Sequence, residues 1–168
     1  LGHNGVGKST FIRALVEAQA GGDEHIRLSP QTVLGYYDQE LDEIRGDERI
    51  VDFAVRRTAG DEQAVRHALI HAGFPYTTHD KPVGVLSGGE RARVLFRILS
   101  LDSPNFLVMD EPTNHIDIEG KEALEAQLLA SDATLLITSH DRRFLTNVAE
   151  RYLWVRDGSL VEVHDPEA

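Results

Sequence analysis

Apolar side chains recur at helical spacing over residues 8–20 (KSTFIRALVEAQA), at positions 11, 12, 15 and 16, and Gly21-Gly22 stop the helix they predict. Short β-like stretches follow at 25–28 and 33–37. From about 42 to 85 the chain is charged and helical in period, through IVDFAVRR and AVRHALIHAG. Gly60, Gly73 and Pro75 punctuate this segment, which reads as an inserted helical lobe. The stretch ERARVLFRILSL puts Val94, Leu95, Ile98 and Leu99 on one helical face, and Pro104 ends it. FLVM (106–109) and TLLIT (134–138) are short apolar runs of the buried-strand type. Between them 119–129 has a helical period, with Asp117 placed as its N-cap. DRRFLTNVAE predicts a further helix, and RYLWV and SLVEV a terminal hairpin. Strands alternating with helices mean an α/β fold with a largely parallel sheet. No internal repeat or low-complexity tract interrupts the pattern.

Composition narrows the function. The 168 residues carry 28 acidic and 17 basic groups, for a formal charge of −11. That balance argues against a strongly basic nucleic-acid-binding face over most of the domain. With no cysteine, a disulfide scaffold, a Cys-ligated zinc site and thiol catalysis are excluded. No window approaches the roughly 18 consecutive apolar residues that span a bilayer. The opening LGHNGVGKST has neither an initiator Met nor a signal-peptide pattern, and reads as part of a longer protein.

Two motifs bear chemistry. Gly2-His3-Asn4-Gly5-Val6-Gly7-Lys8-Ser9 matches G-x-x-x-x-G-K-[ST] in full, with Thr10 behind it. Glycines let successive backbone N–H groups curl inward around phosphate oxygens, and the following helix presents its positive end to the same anion. Lys8 would reach the β/γ phosphates and Ser9 would place its hydroxyl on Mg²⁺. Such a loop follows a buried strand, expected here before residue 1. The second motif is Asp110-Glu111, delivered by FLVM to the C-terminal edge of the sheet. Asp110 would hold Mg²⁺, and Glu111 is placed to polarise an attacking water.

These motifs, together with Gln39 in GYYDQ, LSGGE (Leu86–Glu90), EPTNHID (Glu111–Asp117) and TSHDRRFL (Thr138–Leu145), resemble the ATP-binding cassette (ABC) superfamily across residues 1–168. EPTNHID and SHDRRFL look like its soluble, cytoplasmic ABC-F branch, which acts on the translating ribosome. The resemblance implies a P-loop NTPase fold with a helical subdomain at about 42–100, and ATP with Mg²⁺ as ligands. It assigns Gln39 to the Q-loop, touching Mg²⁺ and water, His140 to the γ-phosphate, and Asp117 to the interface between two cassettes. It also gives Ser87, Gly88, Gly89 and Glu90 to a nucleotide held by a second cassette, which is the implied partner. A helix N-terminus opened by Ser-Gly-Gly is physically suited to that anion. Glu90 stands where transporters commonly have glutamine. The family's adenine-stacking aromatic would lie upstream.

The expected function is ATP hydrolysis that closes and opens paired cassettes of a ribosome-associated protein, in translation or antibiotic resistance. The rivals are the ATPase subunit of a membrane transporter, which would add a transmembrane partner, and a non-hydrolysing nucleotide-gated scaffold. These 168 residues alone are expected to show weak or no ATPase. Elsewhere plainer readings hold. His3, His25, His67, His71, His79, His115 and His164 read as surface or core-satisfied histidines. Asp42, Glu43, Asp47 and Glu48 read as a solvated face, and Tyr36 and Tyr37 as sheet packing.

Overall fold

The computed structural model describes residues 2, 6–21, 25–37, 46–114, 116–156 and 158–164. Its centre is a three-stranded parallel sheet in the order β1 (Leu34–Tyr37), β2 (Phe106–Asp110), β3 (Thr134–Thr138). Val108 and Met109 of the middle strand are wholly buried, as its unbroken apolar run requires. Helix α1 (Lys8–Gln19) packs on β1 and β2 through Ile12 and Leu15. Asn105 ties the entries of β1 and β2 together: its side-chain oxygen accepts from the Val33 amide at 2.9 Å, and its amide donates to the Gln31 carbonyl at 2.8 Å.

Between β1 and β2 the chain makes a helical excursion of α2 (Ile50–Val55), α3 (Glu62–His71) and α4 (Gly88–Leu99). Ile50, Val51, Phe53, Val65, Leu69, Val83 and Val94 close its core. The base is laced shut by backbone bonds: Gly84 N–H to Gly46 O at 3.0 Å, Val83 N–H to Glu48 O at 2.7 Å, Ile50 N–H to Lys81 O at 3.0 Å and Val51 N–H to His79 O at 3.0 Å. On α4, Val94, Leu95 and Ile98 are buried as the period predicts, and Leu99 is half-buried.

Helix α5 (Ile118–Leu129) connects β2 to β3. Its N-cap Asp117 accepts from the Gly120 amide at 2.8 Å, and Leu124 and Leu128 are buried. Helix α6 (Arg142–Val148) follows β3, and β4 (Tyr152–Arg156) and β5 (Ser159–Val163) form the antiparallel hairpin.

Three expectations change. Residues 25–28 belong to neither sheet, because alternation alone does not supply a ladder partner. TLLIT is a strand, but Leu135–Ile137 are half-buried: among the described residues β3 has a sheet neighbour only on its β2 side. His79 is wholly buried and only partly satisfied: its Nε2 lies 2.9 Å from the Phe74 carbonyl, while Nδ1 has no hydrogen bond among the described residues.

Candidate functional site

Parallel strands bring their C-terminal ends to one edge of the sheet, and the register aligns Met109 with Tyr37 and Asp110 with Thr138. Glu111 and His140 follow β2 and β3 by one and two residues. Gln39 follows β1 by two, and lies outside the described residues, as do His3, Asn4 and Gly5. The edge of an open α/β sheet is where such folds bind ligands.

Asp110 and Glu111 are both 8% exposed. The Thr138 hydroxyl donates to Asp110 Oδ1. Glu111 adopts φ 48°, the left-handed region that a non-glycine residue occupies only when its surroundings hold it there. Its amide donates to the Thr138 carbonyl at 3.0 Å and lies 3.2 Å from the Thr138 hydroxyl oxygen. The Glu111 carboxylate turns toward the β3–α6 loop. Oε2 accepts from the His140 amide at 3.0 Å. Oε1 has His140 Nε2 at 3.3 Å, an ion pair only when the ring is protonated and not aligned as a hydrogen bond, so among the described residues this buried oxygen has no donor. The His140 side chain is half exposed.

Beneath this pair, Thr113 Oγ1 and Ser139 Oγ meet at 3.0 Å in a buried contact. The Asp141 amide donates to Ser139 Oγ at 3.0 Å, and Lys121 of α5 reaches Asp141 Oδ2 at 2.6 Å. That ammonium, and next the Phe144 amide, hold the Asp141 carboxyl below the usual aspartate range.

At the N-terminus of α1, Gly7 takes φ 108°, a left-handed turn that a side chain would resist, and its carbonyl accepts from Phe11. The first-turn amides of Lys8, Ser9 and Thr10 are not used within the helix. Lys8 Nζ donates to the Gly2 carbonyl at 2.7 Å, so the ammonium lies back along its own loop.

The LSGGE segment begins α4 with a capping box. Ser87 Oγ accepts from the Glu90 amide at 3.3 Å, and Glu90 Oε2 accepts from the Ser87 amide at 2.8 Å. Gly89 fits against Gly120 so closely that a Cβ on Gly89 would stand 2.8 Å from Gly120 Cα and 3.1 Å from Asp117 Oδ1. The predicted residues thus fall into three groups: Asp110, Glu111 and His140 at the sheet edge; Ser87–Glu90 with Asp117 at the α4–α5 crossing; and Gly2 with Val6–Thr10 around the start of α1.

The residues suit a magnesium nucleotide. Mg²⁺ is commonly held by one or two carboxylates, with water and phosphate completing its shell, and Asp110 is a carboxylate with one oxygen engaged by the Thr138 hydroxyl. Three or more His, Cys, Asp and Glu side chains form no cluster among the described residues. The sequence did not single out Thr138, Thr113, Ser139, Lys121 or Gly120. A signal existed for Thr138: like Asp110, it is the polar residue that ends an apolar strand run.

The model of the ABC transporter family matches residues 1–114. The chain is 38% identical over 165 residues to YdiF of Bacillus subtilis, described as ATP-binding, covering 96% of this chain and 25% of that protein. It is 35% identical to an ATP-binding cassette sub-family F member 3 homolog of Encephalitozoon cuniculi, covering 95% of this chain and 28% of that one. With ABC transporter F family member 2 of Arabidopsis thaliana it shares 33% identity, covering 96% of this chain and 24% of the relative. The chain therefore spans about a quarter of these relatives' length. Among solved structures, an ABC transporter of metal-chelate type in an inward-facing conformation matches with TM-score 0.71 at 18% identity, covering 97% of this chain and 69% of that one. RNase-L Inhibitor matches with TM-score 0.63 at 23% identity, covering 91% of this chain and 30% of that one. Both share the fold, a parallel sheet flanked by helices in the P-loop NTPase manner. The chain belongs to the ABC transporter family, and within it resembles the F-type members.

Proposed function

We propose that this chain is an ATP-hydrolysing cassette that works by pairing with a second cassette, in a soluble F-type protein that acts on the ribosome. The observation that carries the hydrolytic reading is the Glu111 carboxylate. It is buried at the sheet edge beside Asp110, bonded to the His140 amide at 3.0 Å, and has one oxygen without a donor among the described residues. In this reading the amides of the 2–9 loop, with those of Lys8, Ser9 and Thr10, cradle the phosphates, and Lys8 leaves the Gly2 carbonyl to meet the β/γ oxygens. Ser9, Asp110 and Gln39 would hold Mg²⁺, which when bound would neutralise charge on the phosphate oxygens. Glu111 orients water and takes its proton as the water oxygen bonds to the γ-phosphorus; the bond to the β–γ bridging oxygen breaks and that oxygen departs with ADP. His140 steadies the γ-phosphate. Ser87, Gly88, Gly89 and Glu90, with Asp117 beside them, face the nucleotide of the partner cassette.

Substitution Glu111→Gln removes the proton acceptor and keeps the shape. ATP binding should persist while turnover falls about 100-fold or more. Unchanged steady-state hydrolysis would overturn the assignment. The F-type reading rests on the F-type relatives and on EPTNHID with SHDRRFL. The transporter-subunit reading draws on exposed Ile70 and Tyr76, which line an open cavity on the helical excursion with Arg66 and His67. Co-sedimentation of the full gene product with ribosomes supports the former, and co-fractionation with membranes the latter.

A further inference from the structure

We infer that Thr138 is a positioning residue that sets both carboxylates of the site at once, so that one hydroxyl couples the metal-binding group to the water-activating group. The inference rests on the hydrolytic reading above and extends it to a residue that reading leaves without a role.

Three observations converge. Thr138 sits directly opposite Asp110 in the parallel register, at the last rung of both strands. Its hydroxyl hydrogen goes to Asp110 Oδ1, which leaves Oδ2 for a metal or its water shell. The same oxygen then lies 3.2 Å from the Glu111 amide, which also donates to the Thr138 carbonyl at 3.0 Å. A hydroxyl can donate its one hydrogen while a lone pair accepts, so the two contacts are compatible. The Glu111 amide needs such anchoring, because φ 48° is costly for a residue with a Cβ and persists only where neighbours over-determine it. Thr138 is 9% exposed, so water cannot readily replace its hydroxyl. A hydrogen bond to a carboxylate in such a place is of the stronger, charge-assisted kind.

The consequence is geometric. Without the hydroxyl, Asp110 can rotate about its Cβ–Cγ bond and the Glu111 amide loses one of its two acceptors. The nucleotide phosphates, held by the α1 loop, are not touched by Thr138 in this scheme.

The test compares Thr138→Val, which keeps the β-branched shape, with Thr138→Ser, which keeps the hydroxyl, in the full gene product. Manganese serves as a spectroscopic stand-in for magnesium. Electron paramagnetic resonance reads Mn²⁺ affinity in the presence of a non-hydrolysable ATP analogue, and fluorescent-nucleotide binding without metal reads the fold and the phosphate loop. Thr138→Val should weaken Mn²⁺ binding about 10-fold and lower kcat by a similar factor, with metal-free nucleotide affinity unchanged. Thr138→Ser should restore both to within about 3-fold of the parent. Equal losses in the two variants, or an unaltered Mn²⁺ affinity in Thr138→Val, would overturn the inference. If Thr138→Val failed to bind nucleotide at all, Thr138→Ala against Thr138→Ser would give the same contrast in hydroxyl. Failure of the underlying reading looks different: the parent protein itself would then show no nucleotide-dependent Mn²⁺ site.

Discussion

The crossing of α4 and α5 offers the sharpest test of the packing. A Cβ built on Gly120 would stand 2.6 Å from Gly89 Cα, 2.5 Å from Ile116 Cγ2 and 2.8 Å from Asp117 Oδ1. Carbon atoms rest at about 3.5–4.0 Å, so Gly120→Ala demands about 1 Å of separation between two helix backbones. The Ile116 methyl cannot relieve this by itself, because the closest backbone atom belongs to the facing helix. Replacing helical glycine by alanine ordinarily gains about 0.5–1 kcal/mol. Overpacking a filled contact costs about 1–3 kcal/mol, and the steric term wins. The net loss should be about 1–2 kcal/mol, which lowers Tm by about 2–8 °C for a domain of this size. Gly89→Ala should do the same. The double variant should cost less than the sum of the two, since the first methyl has already parted the helices. Thermal melts followed by circular dichroism measure all three. A raised Tm in Gly120→Ala, or strict additivity in the double variant, would refute the close crossing.

Other outcomes follow from the charges. Lys121 holds the Asp141 carboxyl below its usual range, so their contact contributes stability above pH about 4 that fades as pH falls through the depressed value. Urea unfolding should therefore show the gap between parent and Lys121→Met shrinking from pH 7 to pH 3; a constant gap would count against the pair. Burial pushes the Tyr37 phenol up to about 12, and its hydroxyl has no hydrogen bond among the described residues. In an ultraviolet difference titration one of the four tyrosines should ionise well after the ordinary range. Since the folded acid is the weaker one, stability should be lost as pH rises from about 10 toward that value.

What was legible in the sequence was whatever depends on local period and on motif spacing. FLVM and TLLIT mark two of the central strands because short unbroken apolar runs are the pattern of strands inside a parallel sheet. The Asp117 cap read directly, since capping is a matter of residues three apart, whereas the Ser87–Glu90 box, with the same spacing, went unread as a cap. Half-buried Leu135–Ile137 were not legible: exposure depends on which strands flank β3, and the run itself does not record its neighbours. The alternation at 25–28 misled for the same reason. Thr138 passed unremarked because its role arises only when the register sets it across from Asp110. Gly120 reads as a poor helix former until Gly89, 31 positions away, is seen against it. His79 shows the converse case, a histidine that looks ordinary in sequence and lies wholly within the helical excursion with one ring nitrogen unbonded among the described residues.

The lacing at the base of that excursion has its own consequence. Gly84, Val83, Ile50 and Val51 donate across one seam, so a displacement at residue 46 arrives beside Leu86 and Ser87 without passing through the intervening helices. The amides along the seam should exchange with solvent deuterium as a single cooperative group, opening together when the excursion melts.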